Sequence, residues 1–253
     1  MAGWEHRTAL IAGGTRGVGL AVARELAGRG CHVYLNHARD DAAAKDALAA
    51  LAGLPGRATV LKGDVTRPDT LPRLLRRVRE ERGRLDVFVH SAASFHPMDA
   101  ARPDVELFRQ DVTTALAPLL LGVRPLVEAM AGGPGRIVAV SSNGARRVVP
   151  RYLAAGVAKA ALEAQIRYLA VELAPLGITV NAVAAAKLDK GPGAASASAA
   201  DAGVLRVLAE RTPGGRLTTP ADLARTVALL CADEASWIHG QVVTADGGLS
   251  LRA

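Results

Sequence analysis

Short apolar runs of strand type alternate with longer helical runs along this 253-residue chain. The strand runs are Thr8–Ala12, His32–Asn36, Thr59–Leu61, Val87–Val89, Arg136–Val140, Thr179–Val183 and Gln241–Asp246. The helical runs between them are Gly17–Arg29, Asp41–Ala52, Thr70–Arg82, Asp104–Met130, Leu153–Ala174, Val204–Arg211 and Ala221–Cys231. The strand runs are continuously apolar, as expected of strands covered on both faces. Regular strand–helix alternation predicts an α/β fold, with a doubly wound parallel sheet and helices on both faces. No repeat or linker divides the chain, so it reads as one domain over 1–253. One composition break, Gly191–Ala202, is small and Gly-rich. It can bury little area, so the segment around 187–215 reads as a flexible substrate lid or a plain loop.

Composition narrows the class. Half the residues are apolar, which excludes disorder. The longest apolar candidate for a membrane span, Thr113–Val123, is too short and contains Pro118, so no span is predicted. Met1–Arg7 lacks the architecture of a secretory signal, which points to a cytoplasmic protein. Cys31 and Cys231 read as two buried thiols rather than a disulfide or a metal site. The net charge is +7, with only five Lys (45, 62, 159, 187, 190), so the basicity is nearly all Arg. Such a surface suits phosphorylated ligands or an acidic carrier protein, or it reflects codon usage alone. Aromatics at 3% and the lack of a zinc-finger or RNP pattern argue against nucleic acid.

The first strand runs into Gly13-Gly14-Thr15-Arg16-Gly17-Val18-Gly19, and a helix follows. A tight strand-to-helix turn without Cβ atoms lets a pyrophosphate reach backbone N–H groups at a positive helix end. Placed on the first strand of a βαβ unit, the loop is a strong dinucleotide signal. The second strand ends Leu35-Asn36-His37-Ala38-Arg39, with no acid at its tip to hold a ribose 2′-hydroxyl, and Asn36 there is expected to meet the cofactor. Arg16 and Arg39 are placed to meet a 2′-phosphate instead, so the expected cofactor is NADPH; as solvated arginines they would say nothing. Asp64 and Val65, after the third strand, fall where an Asp can accept from an adenine amino group or cap a helix.

At this point the chain resembles the short-chain dehydrogenase/reductase family over nearly its whole length. The resemblance rests on the glycines at 13–19, Ser141-Ser142, Lys159, Asn181-Ala182-Val183 and Asp246-Gly247-Gly248. It implies a Rossmann-type sheet of seven strands, with Ser91, Ala92, Lys159 and Leu188 joining the cofactor site. The family's usual pattern places Tyr four residues before the Lys, but that position is Ala155 here. The nearest Tyr is Tyr152, a Tyr-x6-Lys spacing that resembles the NADPH-dependent FabL type of enoyl-acyl-carrier-protein reductase. The resemblance then implies Tyr152, Lys159 and Ser142 as the catalytic residues. Tyr152, on the approach to the helix, would hold the carbonyl oxygen of an enone thioester while hydride goes to the β-carbon. Lys159 would bond the nicotinamide ribose and lower the pKa of the phenol. The competing readings are a packing Tyr and a turn-capping Ser.

Other positions depart from the family. His90-Ser91-Ala92-Ala93 replaces Asn-Asn-Ala-Gly, and Ala185-Ala186 replaces Pro-Gly. Lys190 stands for the usual Thr, and the relay Asn of the middle helix falls near Thr113 or Thr114. His90 reads as a packed histidine beside the cofactor, or as an acid–base group. Arg146, Arg147 and Arg151 form a basic approach to Tyr152 that would steer an acyl carrier protein, or a solvated loop. The expectation is a reductase of enoyl thioesters on acyl carrier protein or CoA, placed in polyketide or other secondary metabolism rather than in housekeeping. A ketoreductase and a non-catalytic NADPH-binding protein are the alternatives. The resemblance implies a homotetramer built on the helices around 104–130 and 153–174.

Overall fold

The computed structural model describes residues 3–189 and 199–252, the second segment with side chains from Gly203 onward. Seven strands form one parallel sheet: β1 (Thr8–Ala12), β2 (His32–His37), β3 (Ala58–Lys62), β4 (Val87–His90), β5 (Gly135–Val140), β6 (Ile178–Ala184) and β7 (Val242–Thr244). Their order is β3-β2-β1-β4-β5-β6-β7, so the direction of travel reverses between β1 and β4. Ligands in such sheets bind outside the carboxyl ends of the strands at that reversal. The helices are α1 (Gly17–Gly28), α2 (Asp41–Leu51), α3 (Thr70–Arg82), α4 (Val105–Met130), α5 (Leu153–Leu173), α6 (Ala199–Arg211) and α7 (Pro220–Cys231).

Strand alternation divides the core into two layers. Leu10 and Ala12 face Leu74, Leu119 and Leu162 from α3, α4 and α5. Ala9 and Ile11 face Val22, Leu26 and Val227 from α1 and α7. All five residues of β1 are buried, which explains why the strand is continuously apolar. Burying a side chain of this size contributes about 1.5–3 kcal/mol. Cys31 and Cys231 are free and buried in the second layer, and burial pushes the Cys231 thiol up to about 12.

Element bounds follow the sequence pattern closely, with two differences. The last strand is short, Val242–Thr244, because Asp246 leaves the ladder and accepts the N–H groups of Gly248 and Ser250. Helix α6 begins five residues earlier than Val204. Residues 190–198 of the expected lid, Lys190 included, lie outside the described residues. Among those described, α4 is one helix long and apolar enough to cross a membrane by length and composition. Here its apolar stripe, including Ala115, Leu119 and Leu126, is buried against the sheet and α3 and α5.

Candidate active site

The glycine loop is fixed by backbone packing. Gly13 has φ +74°, and a Cβ there would come within 2.8 Å of Ala92 Cα. A Cβ on Gly19 would come within 2.0 Å of the Gly13 carbonyl oxygen. Neither clash can relax by turning a side chain, so these positions need glycine. Thr15 is buried in the turn and Val18 half-buried, while Gly17 (φ +55°) and Arg16 are exposed. Arg16 occupies the N-cap of α1 in extended backbone, and no acid sits in the first helical turn. Four unpaired N–H groups and a positive helix end are what a pyrophosphate needs. Ser91 and Ala92, half-buried after β4, form the other wall, with the Ser91 N–H bonded to the Ala12 carbonyl. The loop therefore fits a dinucleotide.

At the tip of β2 the amide of Asn36, an expected cofactor contact, is engaged within the sheet. The Asn36 amide is buried and donates to the carbonyls of Leu61 (3.1 Å) and Gly63 (2.9 Å). Its donor side braces β2 to β3 and does not reach outward. The neighbouring acids are also committed: Asp40 caps α2, and Asp41 meets Lys62 at 2.6 Å. Arg16 and Arg39 are exposed and hold no ion pair among the described residues. Asp64 caps no helix: its Oδ1 accepts from Thr66 N–H and hydroxyl, tightening the turn after β3 beside buried Val65. Leu188, half-buried, forms an isolated bridge with Thr218 near the β6 tip.

The chemistry end is assembled around Gly144. Ser142 follows β5, and its Oγ accepts the Gly144 N–H at 3.2 Å. Tyr152 is the N-cap residue of α5, so it lies on the approach to the helix. Its ring lies flat enough on Gly144 that a Cβ there would come within 2.5 Å of a ring carbon and 3.4 Å of Ser142 Oγ. Gly144 thus lets Ser142 and Tyr152 share one small patch. Positions 152, 155 and 159 lie on one helical face, so Tyr152 stands one turn before buried Ala155. Lys159 donates from Nζ to the Val140 carbonyl at 2.7 Å, at the end of β5. Burial pulls the Lys159 ammonium down to about 8, against the opposing field of the Asp111 carboxylate. The three predicted catalytic residues therefore converge on the β5 tip.

Several residues of this end escaped the sequence reading. Glu163, buried on α5, accepts from the Ser141 hydroxyl (2.8 Å) and from Arg146 Nε (3.0 Å). Arg146 is therefore committed inward, and of the expected basic approach Arg147 and Arg151 stay exposed outside any ion pair among the described residues. Phe95 packs its ring 5.3 Å from that of Tyr152. Asp111, buried on α4, bonds His96. The available signal was an acid inside an apolar helical run, at positions 111 and 163. His90 is a packed histidine. It is fully buried, with Nε2 on the Ala115 carbonyl at 2.8 Å, in the helical turn that Pro118 interrupts. Burial, helped by the Lys159 charge, pulls it down to about 4. A groove of about 760 Å³ beside Arg216, Asp222 and Arg225 includes none of these residues.

A parallel sheet with a glycine loop at its switch point, and a Ser, Tyr and Lys gathered at the fifth strand, defines a nicotinamide-dependent oxidoreductase. The comparisons agree. Residues 12–250 match the family described as Enoyl-(Acyl carrier protein) reductase. The 1-cyclohexenylcarbonyl-CoA reductase of Streptomyces collinus is 34% identical over 98% of this chain and 88% of its own length. The enoyl-[acyl-carrier-protein] reductase [NADH] FabI of Aquifex aeolicus is 35% identical over 78% of this chain and 73% of its own. A short-chain dehydrogenase/reductase structure from Mycobacterium ulcerans superposes with TM-score 0.88 at 28% identity, covering 97% of this chain and 90% of that one. The chain belongs to the short-chain dehydrogenase/reductase family, near its enoyl reductase branch.

Proposed function

We propose that this protein is an NADPH-dependent reductase of the C=C bond of enoyl thioesters carried on CoA or an acyl carrier protein. The observation that carries the reading is the placement of Tyr152 at the N-cap of α5, one turn before Ala155 and against Ser142 across Gly144. On this reading the seat sets the phenol back from the Lys159 end, to suit an acceptor whose reacting carbon lies beyond its carbonyl. Two of the relatives support it, since both of their names specify an acyl thioester.

A bound dihydronicotinamide supplies the hydride. The chain supplies the rest. The loop at Gly13, Thr15, Arg16, Gly17, Val18 and Gly19 holds the pyrophosphate, with Ser91, Ala92, Val65 and Leu188 as walls. Tyr152 and Ser142 donate to the thioester carbonyl oxygen and stabilise the enolate charge as it develops. Lys159 orients the ribose and holds a positive charge beside the phenol. Arg16 and Arg39 support the choice of NADPH, because neither is spent on an ion pair and both nearby acids are tied up. Arg147 and Arg151 offer a rim for an acidic carrier. Exposed Leu120 on α4 and Tyr168 and Val171 on α5 support assembly into a tetramer through these helices.

The test is a stopped assay of crotonyl and acetoacetyl thioesters with NADPH and with NADH. The expected result is consumption of NADPH with the crotonyl substrate. Turnover of acetoacetyl thioester alone makes the protein a ketoreductase. Equal use of the two cofactors refutes the 2′-phosphate assignment. Turnover of neither substrate leaves a nucleotide-binding protein.

A further inference from the structure

Asp111 is a carboxylate with 3% of its surface exposed, on the inner face of α4. A buried charge of this kind is costly unless it is bonded and compensated. Both bonds come from one residue. The ring Nδ1 of His96 lies 2.8 Å from Oδ1, and the His96 main-chain N–H donates to Oδ2 at 3.1 Å. Charge compensation comes from the buried ammonium of Lys159, on which the Asp111 charge acts. The carboxylate thus bonds an imidazole whose side chain is 31% exposed, and its charge is felt by the lysine of the site.

The histidine is held, not merely nearby. A carboxylate only accepts, so Nδ1 carries the proton and Nε2 is the free nitrogen. Its segment is tied to α4 by Ser94 Oγ on Thr114 Oγ1 at 3.1 Å, and to the approach of α5 by Met98 N–H on the Arg151 carbonyl at 3.0 Å. Phe95, one residue before, rests on the Tyr152 ring.

We propose that His96, oriented by Asp111, is the group that passes solvent protons into this site. The inference rests on the reductase reading. Each reduction adds a hydride to one carbon and a proton to the resulting anion. The Tyr152 hydroxyl gives that proton and is left as phenolate. The Lys159 ammonium restores the phenol and is left as amine. The His96 ring takes a proton from bulk water at Nε2 and gives it up from the same nitrogen, through water, to the Lys159 amine, while Nδ1 keeps its proton on the Asp111 carboxylate. The hydride donor is the only reductant required, and no charge accumulates.

The experiment uses full-length wild type, His96→Gln, His96→Ala and Asp111→Asn, with NADPH and whichever thioester the wild type reduces. In all three variants kcat should fall by about 10-fold or more, with the KM for NADPH within about twofold of wild type. The isotope effect of cofactor deuterated at the transferred position should shrink towards unity, and the D2O effect should grow. Added imidazole should restore part of the His96→Ala rate. An unchanged kcat overturns the proposal. So does a loss in which KM and thermal stability move together, both isotope effects stay fixed and imidazole does nothing, because that is a loop anchor. If Asp111→Asn does not fold, the His96 variants decide alone. A wild type that reduces only the ketone sinks the substrate assignment, yet the same ratios still judge His96.

Discussion

At the tip of β1 the site is made of backbone, whereas at the tips of β4 and β5 it is made of side chains braced on one another. Gly13 touches Ala92, and Gly19 touches Gly13, with no side chain to adjust. Around Gly144, by contrast, Ser142, Tyr152, Ser141, Glu163 and Arg146 each hold a neighbour in place. The first region tolerates almost no change at its contact points. The second can exchange partners while keeping its shape, and there the chain has moved a tyrosine by three positions and traded an asparagine for a histidine. On the proposed function, the difference separates the part that would bind the cofactor from the part that would select the chemistry.

The sharpest way to break the comparison is Gly19→Ala. One methyl group would sit 2.0 Å from a carbonyl oxygen, which the backbone can relieve only by opening the loop. The expected cost is more than about 3 kcal/mol, seen as loss of folded protein or of NADPH binding in melts and fluorescence titrations. Wild-type stability and binding would show that the loop is soft and the contrast false. Tyr152→Phe is the counterpart at the other end. It removes one hydroxyl from an exchangeable network, so binding of NADPH should survive. Turnover should fall by about 10²–10³-fold, or about 3–4 kcal/mol of barrier. Full turnover in this variant would leave the phenol as packing.

The same contrast explains what could be read from the sequence. The seven strands and the glycine loop were legible because each depends on local pattern: apolar runs for β1 to β6, and Cβ-free positions at a strand-to-helix turn. Tyr152 and Lys159 were legible because a helix fixes their spacing. Glu163 and Asp111 were not, since what makes them matter is burial against partners 22 and 15 residues away. Asn36 was assigned outward for a similar reason. A strand-tip amide reads as a ligand group until β3 is seen to offer its carbonyls.

His90 gives the pH test of the braced region. In the folded protein it titrates at about 4, below its ordinary value, because it is buried and near Lys159. The neutral form is therefore favoured by folding. Its contribution to stability is complete above the ordinary histidine value and is lost as pH falls towards 4. Between pH 7 and pH 5 the loss should be about 2 kcal/mol. Urea melts of wild type and His90→Asn at both values check this. The variant should show a shallower dependence, whatever its absolute stability. Equal slopes would mean that another group carries the acid sensitivity.

The smallest effect is expected at Arg151, whose φ of +59° makes it the one non-glycine among the described residues with a left-handed backbone. For an L-residue with a Cβ this costs about 1–2 kcal/mol. The conformation aims the Arg151 carbonyl at the Met98 N–H (3.0 Å) immediately before Tyr152. Local strain here is thus opposed by a bond that joins the β4–α4 segment to the start of α5. Glycine accepts this backbone without strain but has more freedom to lose on folding. Arg151→Gly should therefore stabilise the protein by only about 0.5–1 kcal/mol, read as a small rise in Tm with kcat kept. A fall in Tm would mean that the arginine side chain contributes more than its backbone costs. A fall in kcat with a rise in Tm would mean that the strain itself seats the tyrosine, and the braced region would then owe its geometry to backbone after all.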